Sequence, residues 1–322
     1  MSASNTELRT AKHDNLPQGP AEPGRTPHIC ICICTYKRPQ MLRRLLTELC
    51  RQTTRGEFTY SIVVADNDTE RSAESVVAGF AASSPVRILY CVEPRQNISL
   101  ARNKVIDNSC GDFVALIDDD EFPQHDWILN LLQACRRFGV DGVLGPVLKH
   151  FDQEPPEWVI RGRFYDRSTD PTGTAVRWRM ARTGNVLLKR AIFDDVQQPF
   201  HPEFRAGEDQ DFFRRMIDKG HKFVWCNEAI VYEIVPPERW KRKYMLRKAL
   251  LRGATARLQP TCGFLDIAKS AIAVPAYLVV IPFGMVLGQH RFMDLTVRLC
   301  DHLGKLLAVV GFDPIKEPYV ID

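Results

Sequence analysis

Six consecutive residues, Ile29-Cys-Ile-Cys-Ile-Cys34, are apolar at every position. Alternate side chains of a strand point to opposite faces, so a strand of this composition buries both of them. That is the habit of an interior strand in a parallel sheet covered by helices on each side. The chain that follows alternates accordingly. A helix carries Met41, Leu42, Leu45, Leu46 and Leu49 on one face, and a strand runs over Ile62–Ala65. Next come a helix through Val76, Val77 and Phe80, a strand over 86–92, a helix from about Ser99 and a strand over 113–117. This βαβαβαβ order predicts an α/β fold, a mostly parallel central sheet with helices on both faces.

Cys30, Cys32 and Cys34 fall on one face of the first strand, a spacing that invites a metal. The intervening isoleucines make the opposite face equally apolar, and cysteine is a common small core residue, so the packing reading is preferred. The ten cysteines include no CxxC pair, which points to reduced thiols in a cytoplasmic setting.

In such sheets ligands bind beyond the carboxyl ends of the strands. Three of the predicted strands end in polar residues that would converge on one rim: Cys34-Thr-Tyr-Lys-Arg38, Ala65-Asp-Asn-Asp68 and Ile117-Asp-Asp-Asp-Glu121. The last holds four adjacent carboxylates, whose mutual repulsion is tolerated where a cation or proton chemistry offsets it. It reads as a hard-metal site. A second acidic cluster, Gly207-Glu-Asp-Gln-Asp211, opens a helix with Phe212, Phe213, Met216 and Ile217 inward, and reads as the place of a general base. Neither a GxxxxGK loop nor a GxGxxG follows the first strand, which argues against a P-loop kinase and a dinucleotide dehydrogenase. Farther along, 142–148 reads as one strand, 150–182 as an insertion covering the substrate, and Thr183-Gly-Asn-Val-Leu-Leu188 as a return to the core.

Ile31-Cys-Ile-Cys-Thr-Tyr-Lys-Arg-Pro39, Val64-Ala-Asp-Asn-Asp68, Asn97-Ile-Ser-Leu-Ala-Arg-Asn103, Leu116-Ile-Asp-Asp-Asp-Glu121 and Gly207-Glu-Asp-Gln-Asp211 resemble, in order and spacing, the successive signatures of the family 2 inverting glycosyltransferases. The similarity extends to the bacterial exopolysaccharide transferases of the succinoglycan type and covers about residues 28–240. It implies a GT-A fold that binds a nucleoside diphosphate sugar with Mn²⁺ or Mg²⁺ and transfers the sugar with inversion. On that resemblance Asp66 accepts from the nucleotide base, with Thr35 and Arg38 in the same pocket. Asp118 and Asp120 fall on the DxD motif, Asp120 as metal ligand and Asp118 near the ribose or the metal, with Asp119 on the donor side. Arg102 and Asn103 orient carboxylates or phosphates, and Gly184 and Asn185 meet the donor sugar. Asp209 matches the catalytic base, held by Glu208, with Asp211 the lesser candidate.

Beside these roles stand blander readings. Asp68 suits a turn as well as a donor contact, Gly184-Asn185 suits a turn before a strand, and the acids from Glu208 suit a helix amino terminus. Processive synthases carry Gln-x-x-Arg-Trp where this chain has Pro236-Pro-Glu-Arg-Trp240, so the expectation is one sugar per acceptor, with Arg239 near the diphosphate and Trp240 near the acceptor. Glu233 occupies a region where relatives place a late metal ligand.

Net charge is only +4, but eight Lys or Arg and no acid lie between Arg239 and Arg257. Ala271 to Gly288 then carries no charge at all. A basic stretch beside an apolar one suits an anionic membrane surface, and Pro275 and Pro282 favour a kinked or interfacial segment over a straight span. The organisation expected is therefore a disordered tail over 1–27, a catalytic GT-A domain over 28–240, and a basic, hydrophobic helical membrane-associating region over 241–322. The activity expected is transfer of one sugar, from a donor of the UDP type, to a lipid-linked or oligosaccharide acceptor on the cytoplasmic face of the bacterial inner membrane, with no role for nucleic acid. Two rivals are weighed. A sugar-phosphate nucleotidyltransferase would need a Gly-rich loop that Thr35-Tyr-Lys-Arg-Pro39 lacks. An inactive nucleotide-sugar-binding protein would not need Asp209.

Overall fold

The computed structural model describes residues 25–315 apart from 195, 205 and 260. In chain order the elements are β1 (His28–Thr35), α1 (Pro39–Leu49), β2 (Thr59–Asp66), α2 (Glu74–Ser83), β3 (Ile88–Val92), α3 (Ile98–Asp107), β4 (Phe113–Asp118), β5 (Glu121–Pro123), α4 (Trp127–Phe138) and β6 (Gly142–Leu144). They continue with β7 (Val147–His150), α5 (Glu157–Gly162), β8 (Asn185–Lys189), α6 (Glu208–Asp218), β9 (Phe223–Trp225), β10 (Val231–Ile234), α7 (Pro237–Trp240), α8 (Arg242–Ala256), α9 (Phe264–Val286) and α10 (Gln289–Val309).

Seven strands form the central sheet in the order β3-β2-β1-β4-β8-β6-β9. β1 lies parallel to both β2 and β4, and β8 alone runs antiparallel to its two neighbours. Residues Ile29, Ile31 and Ile33 pack with Leu42, Leu46 and Leu132 in one core layer, while Cys30 and Cys32 pack with Val105, Phe212 and Met216 in the other. The two-faced apolarity of β1 is thus spent on two helical layers, and none of the ten cysteines is in a disulfide.

The segment expected as one strand over 142–148 is two strands in different sheets. Gly145-Pro146 divides them: Pro146 has no N–H for a ladder, and a Cβ on Gly145 would stand 2.3 Å from the Ala229 carbonyl. β7 then joins β10 and β5 in a small second sheet below the acidic strand end. Of the expected tail, residues 1–24 lie outside the described residues; Arg25 pairs with Asp112 at 2.5 Å.

Among the described residues beyond 240 there are three helices. α8 and α10 cross with their backbones in contact. A Cβ on Gly253 would lie 2.1 Å from the Asp301 carbonyl, and one on Gly304 would lie 2.2 Å from that of Leu250. α9 carries Pro275 and Pro282 inside its 23 residues, a rise of about 35 Å. It is apolar, with mean hydropathy 1.8 over its best window, only 6% of that window is buried, and it is long and apolar enough to cross a membrane. Phe264, Leu265, Ile272, Val279, Phe283 and Val286 all face outward.

Candidate active site

A cleft of about 530 Å³ opens at the carboxyl ends of β1 and β4 and is closed on its far side by the amino terminus of α6 and by one face of α8. Local chain chemistry sets its floor. Lys37 adopts φ 54° after β1, a left-handed turn that swings the chain out of the sheet, and Pro39 at the first position starts α1. Arg38 is thereby left over the acidic strand end. Thr35 Oγ1 donates to Asp119 Oδ2 at 2.8 Å, and Arg38 Nη1 donates to Asp119 Oδ1 (3.2 Å) and Asp120 Oδ2 (3.3 Å).

Arg239, from α7, donates to the same Asp120 oxygen and, at 3.0 Å, to Glu233 Oε1; Glu233 also accepts from Arg167 of the segment over 150–182. The carboxylates are therefore threaded with guanidinium groups, whose planar forks suit paired oxygens. Arg102, buried on α3, binds Glu208 of α6 with one nitrogen and Asp118 Oδ1 with the other at 3.3 Å. The strand-end acids and the acids of α6 thus face each other across a single guanidinium. Burial works against its charge, but Asp118 and Asp209 more than offset this and raise its pKa.

Crowded acids in a buried site hold protons more tightly. Burial first, moderated by Arg38 and then worsened by Asp120, pushes Asp119 up to about 6. Glu121, whose Oε2 accepts the Asp118 amide at 3.1 Å, is driven well above the ordinary range by burial and then by Asp118 and Asp120. Asp118 moves up for the same first reason, opposed by Arg102. With 42% of its side chain open to the cleft, solvent moderates that shift.

The cleft brings together Thr35, Arg38, Arg102, Asp118, Asp119, Asp120, Glu208 and Asp209 of the residues singled out in the sequence. Asp209 follows Gly207, which takes φ 83° at the helix start, and its Oδ1 accepts the Gln210 amide at 2.7 Å. Asp211 is committed elsewhere, to Arg214, Arg215 and His201.

Four expected donor residues lie outside the lining. Asp66 is fully buried and accepts from Ala73 N, Tyr90 Oη and Asp68 N at 2.8, 2.8 and 3.1 Å, closing the turn that follows β2; its neighbour Asn67 lines the cleft instead. Asp68 accepts the Glu70 amide at 3.3 Å, 4.0 Å from Lys37 Nζ, as a turn residue does. Asn185 is spent on Trp127 Nε1 (2.8 Å) and the carbonyls of Pro146 (2.9 Å) and Ala229 (2.7 Å). Gly184 lets Glu121 approach, since a Cβ there would stand 2.5 Å from its Oε1. Asn103, also singled out, instead brackets the Phe200 backbone, and Trp240 packs against Phe151 in a separate small cluster.

Sequence reasoning missed the wall built by α8. Lys248, Leu251, Arg252, Thr255 and Ala256, with Gln259 one turn on, line the cleft. Their 3, 4, 7, 8 and 11 spacing is the helical period that marks one face. Reading the stretch for charge alone hid that period.

The sequence model of the family described as Glycosyl transferase family 2 matches residues 30–196. The succinoglycan biosynthesis protein ExoM of Rhizobium meliloti is 37% identical over 307 residues, 92% of this chain and 97% of the relative. A glucosyl-dolichyl phosphate glucuronosyltransferase of Haloferax volcanii is 26% identical over 210 residues, 63% of this chain and 61% of its own. Among solved structures, a mannosyltransferase from Pyrobaculum calidifontis, in complex with GDP-Man and Mn²⁺, superposes with a TM-score of 0.60 at 16% identity, covering 89% of this chain and 88% of that one. TarS of S. aureus (residues 1–349) with UDP does so with a TM-score of 0.52 at 14% identity, covering 88% and 90%. At these identities the two structures show a shared GT-A fold.

Proposed function

The chain belongs to glycosyl transferase family 2, and from that premise we propose that it moves a single sugar, with inversion, from a nucleoside diphosphate sugar of the UDP type to a lipid-linked or oligosaccharide acceptor during exopolysaccharide assembly. The observation that carries this reading is the opposition of Asp118–Asp120 and Glu208–Asp209 across one cleft, joined through Arg102.

The donor set at the strand end suits a divalent cation. Asp118 and Asp120 offer hard carboxylate oxygens, and among the described residues that line the cleft there is no histidine. Mn²⁺ and Mg²⁺ take one or two carboxylates and complete their shell with substrate phosphates. Asp118 and Asp120 would hold Mn²⁺ or Mg²⁺, which when bound neutralises charge on the departing diphosphate.

The chain's own residues do the rest. Thr35, Arg38 and Asn67 flank the donor's end of the cleft. Arg102 fixes Glu208 and hence the first turn of α6, so that Asp209 is presented to the acceptor. Asp209 takes the proton of the acceptor hydroxyl as its oxygen attacks the anomeric carbon on the face opposite the diphosphate. The bond from that carbon to the diphosphate oxygen breaks, and the nucleoside diphosphate leaves with its electron pair. Arg239, beside Asp120, adds positive charge where the leaving group gathers negative charge.

Membrane association from the cytoplasmic side completes the proposal. The outward apolar face of α9 supports it, as do the exposed bases at the start of α8, Arg242 and Lys243. A lipid-linked acceptor would then meet the cleft at the surface where it resides.

The test is release of nucleoside diphosphate from a panel of nucleotide sugars with Mn²⁺ or Mg²⁺, for the native protein and for Asp209→Asn. Metal-dependent release that falls about 10²–10⁴-fold in the variant, with nucleotide binding intact, supports the assignment. Unchanged turnover in Asp209→Asn removes the base, and absence of metal-dependent nucleotide binding removes the donor reading.

A further inference from the structure

Gln259 lies one turn beyond α8, is 9% exposed and lines the cleft. Its Nε2 donates to the carbonyl of Gly207 at 3.1 Å. A carbonyl can only accept, so the amide nitrogen must face Gly207 and the orientation of the group is settled by its partner. Gly207 is the residue before Glu208-Asp209, so this bond ties Gln259 to the start of the helix that carries the proposed base. The other end of the amide, Oε1, is buried and has no hydrogen-bond partner among the described residues.

That oxygen stands apart from its surroundings. Among the described side chains lining the cleft it is the one polar atom both buried and without a partner. On the same wall, Thr255 has already given its hydroxyl proton to the Leu251 carbonyl at 3.0 Å. Leaving a buried acceptor unmatched costs about 1–3 kcal/mol, a cost that a bound hydrogen-bond donor removes. The group is neutral and can only accept at Oε1. It therefore suits a hydroxyl, whereas a phosphate or carboxylate would meet it oxygen to oxygen.

We propose that Gln259 reads the acceptor sugar: its Oε1 accepts a hydrogen bond from an acceptor hydroxyl adjacent to the one that Asp209 deprotonates. The inference rests on the glycosyl-transfer reading above and adds a specificity-determining residue to it from outside the segment matched to the family. A site built to pair with a hydroxyl rejects the analogue that lacks it far more strongly than an apolar pocket rejects a change in size. Gln259 thus selects which hydroxyl pattern enters beside the base.

The experiment is saturation-transfer NMR on the full chain with methyl glycosides of common hexoses and hexuronic acids and their monodeoxy analogues. Methyl glycosides are chosen because a longer alkyl chain would adhere to α9. Wild type is compared with Gln259→Leu, with Gln259→Met as a second apolar replacement should the first fail to fold, and with Gln259→Glu, which keeps an oxygen in place. The expected result is that a glycoside binds wild type and that deletion of one hydroxyl weakens it tenfold or more. Gln259→Leu or Gln259→Met should bind parent and deoxy analogue alike, and Gln259→Glu should still discriminate. Equal discrimination by wild type and the apolar variants, or no glycoside binding to wild type, overturns the proposal. Since the readout needs no turnover, its failure is separate from failure of the transferase reading, which metal-dependent nucleotide release decides.

Discussion

Arg102 on α3 and Glu208 on α6 are both buried and directly bonded, and the second guanidinium nitrogen of Arg102 reaches Asp118 at 3.3 Å. Removing the arginine leaves Glu208 as an uncompensated buried charge, a loss of about 3–5 kcal/mol. Arg102→Met is expected to lower the melting temperature by several degrees and turnover by more than a hundredfold. Arg102→Lys, which cannot span both acids at once, should keep most of the stability but little of the rate. Paired thermal melts and kinetics read this out; an Arg102→Met protein with native turnover would refute the bridging role.

Glu121 gives the protein a pH dependence whose sign is opposite to that of an ordinary paired carboxylate. Its folded pKa lies well above the usual value because of burial and then its acidic neighbours. The folded chain therefore keeps a proton that the unfolded chain releases above about pH 4.3. Its contribution is full below that value and is lost as pH rises through the folded pKa. Melting temperatures measured in chelator from pH 5 to pH 8 should fall more for wild type than for Glu121→Gln, which is neutral throughout. Parallel curves for the two proteins would refute this.

Asn185 holds Trp127 Nε1 and two backbone carbonyls in a buried triangle. Asn185→Leu strands Trp127 Nε1 and the Ala229 carbonyl, each at about 1–3 kcal/mol, while the Pro146 carbonyl keeps the Val231 amide at 3.1 Å. The expected outcome is a large loss of stability, with nucleotide affinity preserved in whatever fraction stays folded. Calorimetric titration of nucleoside diphosphate below the melting point checks it, and a stable variant with weakened nucleotide binding would restore Asn185 to the donor site.

The reciprocal glycines at the crossing of α8 and α10 leave no room for a methyl group. Gly253→Ala and Gly304→Ala should each cost about 1–3 kcal/mol by overpacking and widen the cleft, because Lys248, Leu251 and Thr255 ride on α8. Both substitutions should raise the KM for acceptor more than for donor. Unaltered melting would contradict the close crossing.

Several parts of this molecule were legible in the chain itself because they obey local rules. Ile29–Cys34 cannot be stable except between two layers, and the helices that cover it announce themselves by period. The acids at the end of β4 and at the start of α6 could be read as chemical groups because both fall where an α/β sheet places ligands. What the sequence did not disclose are the pairings made at long range. Asp66 and Asn67 are equally polar, yet the turn after β2 consumes the first and leaves the second in the cleft. The basic run from Arg239 was legible as charge, but charge has no direction in a sequence.

Local pattern therefore determined the α/β fold, the rim on which the site lies and the acids that occupy it, because alternation and helical period are properties of neighbouring residues. Tertiary structure decided which guanidinium meets which carboxylate, placed Arg239 and Arg167 among the acids, and turned one face of α8 into the far wall. It also brought Gln259 to Gly207, residues 52 positions apart. These outcomes depend on packing that closes only when the sheet, the segment over 150–182 and the carboxyl-terminal helices are all in place, and no stretch of sequence contains that condition by itself.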